Sequence, residues 1–457
     1  MSTETVRVGA SDEAVERRRE QRGWYFYDWA CSVYSTSVLT VFLGPYLTSV
    51  AESAADADGF VHPLGIPVRA GSFFAYSVSL SVILAVVVMP LVGSAADRSG
   101  RKKPLLAAAA YTGAAATTGM FFLDGDRYLL GGLLLIVANA AQSVAMMLYN
   151  AYLPQIAPPE ERDAVSSRGW AFGYAAGSLV LVANLVLYSA HDSFGVSETT
   201  AVRICLAAAG LWWGAFTLVP LRRLRDRRSK AAGAAGAGAE AGATSAGLRQ
   251  LVATVRDMRR HPLTLAFLLA YLIYNDGIQT VISQASVYGS EELGLGQSTL
   301  IGAVLLVQVL AVAGALTMGR LARAYGAKRT ILGSLVAWTV TLGAGYFLPA
   351  GAPVWFFVLA AGIGLVLGGS QALSRSLFSH LVPPGKEAEY FSAYEMSDRG
   401  MSWLGPLLFG VTYQLTGSYR SAIISLVAFF VIGFALLARV PVRRAIEGAG
   451  NPVPERI

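Results

Sequence analysis

Cysteine, histidine and charge are all scarce in this chain of 457 residues. The two cysteines, Cys31 and Cys205, stand inside apolar runs, which argues against a disulfide framework or a thiolate zinc site. The four histidines, His62, His191, His261 and His380, fall in or near polar connectors and show no metal-ligand spacing. No Gly-x-x-x-x-Gly-Lys-Ser/Thr run occurs, so ATP is not expected to drive the protein. Gly362, Gly364 and Gly368 superficially match a nucleotide fingerprint, but they sit in an apolar run, where close packing explains them better. No nucleophile–base constellation stands out, and the chain does not read as an enzyme. Charged residues make up 14% of it, against roughly 25% in soluble domains. The first 23 residues mix Glu with Arg and lack the apolar core of a signal peptide. The first apolar run is therefore expected to act as an uncleaved insertion signal.

What the chain has instead is apolar length. Hydrophobic residues reach 54%, and long runs recur from Trp24 to Val440. From Ser72 to Ala95 the only polar side chains are hydroxyls. About 20 such residues cross a bilayer as a helix, which satisfies its own backbone where lipid offers no partners. Twelve spans are expected: 24–48, 71–95, 104–123, 128–151, 169–190, 201–221, 262–286, 298–322, 328–349, 353–376, 396–415 and 420–440. The fold class is thus an all-α integral membrane protein of twelve transmembrane helices. The net charge of +7 is concentrated in alternate loops, which marks topology rather than nucleic-acid binding. One side holds Arg98, Arg101, Lys102 and Lys103, then Arg222–Arg228, then Arg320, Arg323, Lys328 and Arg329, and finally Arg443 and Arg444. The other holds Glu52, Asp56, Asp58, Asp124, Asp126, Glu291 and Glu292. Positive loops stay in the cytoplasm, so both termini are expected there, in a plasma (inner) membrane.

Residues 222–261 form the longest connector. Its Ala/Gly-rich stretch Lys230–Gly247 reads as flexible linker. Leu248, Leu251, Val252, Val255 and Met258 follow at the spacing of one helix face, flanked by Arg249, Arg256, Arg259 and Arg260. A short amphipathic helix on the membrane surface and an ordinary solvated helix both fit. An internal repeat is visible on either side. Gly93-Ser94-Ala95-Ala96-Asp97-Arg98-Ser99-Gly100-Arg101-Lys102-Lys103 aligns without gaps with Gly319-Arg320-Leu321-Ala322-Arg323-Ala324-Tyr325-Gly326-Ala327-Lys328-Arg329. Leu153 with Pro158-Pro159 is matched by Leu381 with Pro383-Pro384, and each precedes an Arg-Gly pair, Arg168-Gly169 or Arg399-Gly400. The expected division is a segment 1–23, a six-helix bundle 24–221, the linker 222–261, a second six-helix bundle 262–440 and a tail 441–457. Parallel halves of this kind place a substrate site between them near mid-membrane.

The stretch Gly93–Lys103 resembles the loop between the second and third helices of the major facilitator superfamily, with Ala95 in place of the usual leucine. The second copy matches less well, because Arg323 replaces the acid. Trp24-Tyr25-Phe26-Tyr27-Asp28-Trp29-Ala30, Leu272–Thr280 and Gly368–Ser376 resemble the vacuole-effluxer-like (unknown major facilitator) family. Its fungal members are similar to exporters that release amino acids from the vacuole. The resemblance covers most of residues 22–440 and implies a transporter whose two halves rock about a central site. It also implies that Gly93, Asp97, Arg98, Gly100 and Arg101 steady the outward-open state.

Ionisable residues inside a span are expensive and mark functional sites by default. Asp276 lies about fourteen residues into the seventh span, near mid-depth. It fits a proton carrier or a contact for a substrate ammonium; a structural bond to a neighbouring helix fits too. Tyr274, Asn275 and Gln279 surround it, the last two on one helix face. Asp28 lies nearer the cytoplasmic mouth, as a gate or a coupling site. Arg375 fits a bidentate clamp for a substrate carboxylate or a cation snorkelling to the surface, with Gln371 one turn earlier on its face. Asn139 and Gln142 fit a cavity lining or hydrogen-bonded packing. Gly93 and Gly100 suit tight turning and close approach, and Asp97 suits charge-assisted bonds from Arg101 or from a helix N-terminus in the other half. Glu395 and Arg399, four apart with Asp398 between, read as a cytoplasmic ion-pair cluster of the surface kind, mirroring Arg168, and as gate elements. Gly169, Gly173 and Gly177, like Gly364 and Gly368, suit close helix packing. The expectation is a secondary transporter for a small polar solute, with proton-coupled efflux of amino acids or related metabolites preferred. A proton or sodium would be the coupling ion, no cofactor or metal is expected, and the protein is expected to be a monomer. The alternatives are a cation-coupled sugar symporter and a non-transporting membrane sensor or scaffold.

Overall fold

The computed structural model describes residues 3–226, 256–399 and 404–457. The expected linker Lys230–Gly247, the apolar face from Leu248 to Val255, Arg227, Arg228, Arg249, Gly400 and the side chain of Arg399 lie outside the described residues. The apolar runs become helices because each can close its own hydrogen bonds. α1 (Thr3–Val33) passes through a π-helical stretch, Tyr34–Phe42, into α2 (Leu43–Ser53). A short hairpin, β1 (Phe60–Val61) with antiparallel β2 (Val68–Arg69), leads to α3 (Phe73–Ser99). Then come α4 (Lys102–Gly119), α5 (Tyr128–Asn150), α6 (Leu153–Ile156), α7 (Arg162–Ser189) and α8 (Glu198–Arg223). After the linker follow α9 (Pro262–Val287), α10 (Gln297–Tyr325), α11 (Ala327–Tyr346) and α12 (Pro353–His380). The last elements are α13 (Glu387–Arg399), α14 (Leu404–Thr416), α15 (Tyr419–Ser425), α16 (Val427–Arg439) and α17 (Val442–Gly448).

Among the described residues, 10 helical stretches are long and apolar enough to cross a membrane. The two other expected spans correspond to the 20-residue α11 and to α13–α14, whose apolar part is Leu404–Tyr413. The membrane-spanning part is thus all helical, in a multi-pass protein whose short hairpin lies in a connector, and exposed apolar side chains such as Leu80, Val309 and Leu407 suit lipid. Element ends differ from the sequence expectation where polar residues hide inside the packing. The first helix does not begin at 24: its membrane-length stretch starts at Val15, and Glu20 and Gln21 are buried. Gly23 makes room there, because a Cβ on it would stand 2.6 Å from Arg223 Cβ. The eleventh span likewise begins earlier than 396, at Glu387.

The chain forms two compact units. Residues 3–149 and 175–226 make one; residues 150–174 and 256–457 make the other. The segment 150–174, within the expected first bundle, therefore packs with the second unit. In that unit the glycines of α12 pack against α10. A Cβ on Gly364 would lie 2.7 Å from the Val307 carbonyl oxygen, and Gly368 meets the Ala311 carbonyl closer still. Gly314 returns the contact against the main chain of Leu365. Small residues let two backbones touch where lipid gives no hydrophobic drive to association.

Candidate functional site

The second unit contains an almost continuous run of buried polar side chains. Arg375 ends the apolar stretch of α12, and it neither snorkels nor stands free for a carboxylate. It is 1% exposed. Its Nε donates to Ser166 Oγ at 2.9 Å, one Nη donates to the Ser166 carbonyl at 2.9 Å, and the other reaches Asn150 Oδ1 at 3.3 Å. Its guanidinium lies 5.4 Å from the Trp170 ring centre, a cation–π distance. Asn150 passes the polarity on: its Nδ2 donates to Glu395 Oε1 at 2.7 Å. Glu395 is 3% exposed, so the expected surface ion-pair cluster is instead a buried acid joined to a buried base through an amide. Arg168 is exposed and lies outside this relay. Ser166 also donates to the Ala372 carbonyl at 2.7 Å. One turn of α7 earlier, Arg162 donates to the Ser379 carbonyl at 2.9 Å. The segment 150–174 is thus fastened to α12 and α13 by charge-assisted bonds away from water, where such bonds are strongest.

Above Arg375 along α12, the polar groups are neutral. Gln371 donates to Gln279 Oε1 at 3.4 Å and accepts from the Tyr174 hydroxyl at 3.0 Å. The Tyr274 hydroxyl and Ser374 Oγ are 2.6 Å apart. Asn275, one turn before Gln279 on α9, bonds to a different helix. Its Nδ2 donates to Asp398 Oδ1 at 2.6 Å, and the Tyr271 hydroxyl donates to the same oxygen at 2.8 Å. Asp398 lies three residues after Glu395 on α13, and a separation of 123 residues from Asn275 leaves their pairing invisible in the sequence. Tyr271 stacks on Tyr394 at 4.4 Å, which in turn stacks on Phe378 at 5.0 Å.

Asp276 is 2% exposed and faces α14. Its Oδ2 accepts the amide of Gly405 at 2.9 Å, while Oδ1 is buried without a hydrogen bond. A carboxylate at a helix N-terminus is favoured by the helix dipole. The structure therefore shows the bond to a neighbouring helix that the sequence left open. Gly405 is required by the same contact, since a Cβ there would meet Thr280 and the Asp276 carbonyl.

In the first unit Asp28 is also buried, at 4% exposure, and accepts the Tyr149 hydroxyl at 2.6 Å. Trp24 stacks on Tyr149 at 4.3 Å and donates its indole N–H to the Tyr149 carbonyl at 2.9 Å. Gln142 donates to Ser35 Oγ in the π-helical stretch at 2.8 Å, and Asn139 to Ser81 Oγ at 2.6 Å. The Asn139 Oδ1 is buried without a hydrogen bond. At the basic loop, Asp97 pairs with Lys102 at 3.1 Å rather than with Arg101, and both partners are buried. Arg98 and Arg101 are exposed. The reason is helical phase: α4 starts at Lys102, which turns that amine, not Arg101, under Asp97. Gly100 ends α3 with φ +62° and closes it by donating to the Ala96 carbonyl. Gly93 lies inside α3 and makes no turn. A second charged cluster sits where the chain leaves the linker: Lys386 Nζ is 2.6 Å from Asp257 Oδ2, and Tyr390 donates to that oxygen at 3.0 Å. Burial raises the Asp257 pKa, but the Lys386 bond and charge and the Tyr390 hydroxyl outweigh it and hold the carboxyl below its ordinary value.

Residues 16–450 match the sequence profile of the family described as vacuole effluxer Atg22 like. The chain belongs to that family. A relative in Bacillus subtilis (strain 168), an uncharacterized MFS-type transporter called YxiO, is 30% identical over 426 residues, covering 93% of this chain and 95% of its own. Autophagy-related protein 22 of Coccidioides immitis is 27% identical, over 90% of this chain and 84% of its own. Among solved structures, the proton:xylose symporter XylE superposes with a TM-score of 0.66 at 15% identity, over 94% of this chain and 96% of its own. FucP in an outward conformation superposes with a TM-score of 0.65 at 12% identity, over 92% and 98%. At such identities the likeness shows the fold alone. That fold is the major facilitator fold, and the family is one of membrane transporters.

Proposed function

We propose that this effluxer-like protein is a secondary active transporter that moves a small polar solute by alternating access. Proton-coupled efflux of amino acids or related metabolites is the preferred mode. The observation that carries the reading is the buried relay Arg375–Asn150–Glu395, which ties the segment 150–174 to α12 and α13. A transporter must open and close a path, and such a relay is a gate that can break and reform as a unit. Arg375 is then a gate residue, while Gln279, Gln371 and Tyr174 are the neutral polar groups that face the solute. The protein would sit in the plasma (inner) membrane, with both termini in the cytoplasm; the basic loops support that orientation.

Asp276 is the group through which a proton would act. Protonating it removes the charge that the Gly405 amide and the α14 dipole favour, and so loosens α14. Asp276→Asn keeps a hydrogen-bond acceptor and removes the charge. In reconstituted vesicles the variant is expected to retain solute exchange but to lose most of its pH-gradient-driven transport, because the group that would take up and release the proton is gone. Full gradient-driven transport by the variant, for a solute first found by thermal-shift screening of amino acids, would refute proton coupling at this residue. Stimulation by sodium instead of a proton gradient would replace the ion but leave the transporter reading in place.

A further inference from the structure

The chain's last residues do more than trail from α16. α17 is anchored by buried Val442, Ala445 and Ile446. Beyond it, Asn451 Nδ2 donates to two carbonyls, His380 at 2.9 Å and Val382 at 2.7 Å, at the C-terminal end of α12. Arg456 donates to the carbonyls of Ala324 at 2.7 Å and Arg323 at 3.4 Å, at the C-terminal end of α10. A cation there is favoured twice, by the unpaired carbonyls and by the negative end of the helix dipole. The main chain of Ile457 packs directly against Gly326, whose φ of +90° and lack of a side chain both admit it. A cavity of about 200 Å³ lies under these residues; Arg456, Ile457, Arg323 and His380 line it together with Glu160 and Asp163. The tail therefore sits beside the turn that opens α7, within the segment 150–174.

The two copies of the internal repeat show why this matters. The first copy closes itself, with the buried Asp97–Lys102 pair at the end of α3. The second copy has Arg323 where the first has its acid and cannot make that pair. The end of α10 is closed instead by Arg456, from 132 residues away. The first copy thus closes with a partner five residues away, whereas the second borrows its closure from a distant segment held by a handful of hydrogen bonds, which can detach as a unit.

We propose that residues 449–457 form a strap that holds the ends of α10 and α12 together beside the 159–163 turn, and that its release accompanies opening of the gate. The strap rests on the reading of 150–174 as a gate element. It stabilises the state in which that segment is bound to α12, and weakening it shifts the population towards the released state.

The test uses a Ser167→Cys probe in a background with Cys31→Ala and Cys205→Ala. Ser167 is 1% exposed and its Oγ abuts Gly319 of α10, so thiol labelling there reports release of the segment. Membrane-impermeant maleimide is applied to the cytoplasmic face of inside-out vesicles. Asn451→Ala/Arg456→Ala is expected to raise the initial labelling rate about tenfold, the scale set by losing bonds to several main-chain carbonyls. Arg456→Lys, which keeps a charged donor, is expected to label near the parent rate; Arg456→Ala alone serves if the double variant does not fold. Arg375→Ala, which cuts the relay itself, is the reference for an opened gate. A rise for Arg375→Ala with none for the tail variants overturns the strap and leaves the gate standing. No rise for either overturns both.

Discussion

Arg375 and Glu395 carry opposite charges at 1% and 3% exposure, and neither is solvated. Ions so placed persist only when every polar atom is bonded, and removing one partner strands the other. Asn150 bonds to both, so it is the member whose loss costs most for its size. Asn150→Ala is expected to destabilise the purified protein by about 2–4 kcal/mol, the sum of two buried groups left unsatisfied. Thermal denaturation in detergent measures it, and a loss under about 1 kcal/mol would show that the relay carries little energy. The residues of this cluster were legible singly, since Arg375, Gln371 and Glu395 are polar groups in or beside apolar runs. Their pairings were not. Ser166, Asn150 and Asp398 are small or loop-adjacent, and their bonds span 123 to 245 residues. Periodicity reports only neighbours along one helix, so a pairing at that separation leaves no trace in it.

At the scale of elements, the glycine pattern of α12 carried its meaning plainly. Gly364 and Gly368, four apart, lie on the face that α10 approaches, and the contact is main chain against main chain. Gly368→Val would force these backbones apart; overpacking of this kind costs about 1–3 kcal/mol. The variant is expected to melt several degrees lower than the parent in detergent, and an unchanged melting point would mean that the helices part at no cost. Helix starts were less legible than helix centres. The hydropathy of α1 dilutes at Glu20 and Gln21, yet both are buried; on either side of them Arg223, at the end of α8, stands against Gly23, and Arg225, just beyond it, is bonded to Glu16 at 2.7 Å. The helix break at Lys102 shifted the partner of Asp97 by one residue, a change smaller than any boundary read from sequence.

For the molecule as a whole, the alternation of basic and acidic loops makes a firm statement about topology. Reporter fusions placed after residue 14 and after residue 457 are expected to report the same, cytoplasmic side. Opposite sides would require an odd number of crossings and would displace the twelve-helix reading. The apolar runs sufficed for the fold class, since each of them must satisfy its own backbone in lipid. They could not foretell that residues 150–174 pack with the second unit, because packing partners depend on which polar groups meet, not on how greasy the helices are.

One feature of the first span bears on how such a molecule moves. Between Tyr34 and Phe42 the backbone winds as a π-helix, with hydrogen bonds reaching one residue further than in an α-helix. Thr40 donates its hydroxyl to the Ser35 carbonyl at 2.8 Å, across the same interval. A threonine hydroxyl that lends a main-chain carbonyl a second partner lets the winding tighten or slacken by a residue without baring that carbonyl to hydrocarbon. The span thus holds, within its own backbone, a length of thread that can be let out or drawn in while its two ends stay seated.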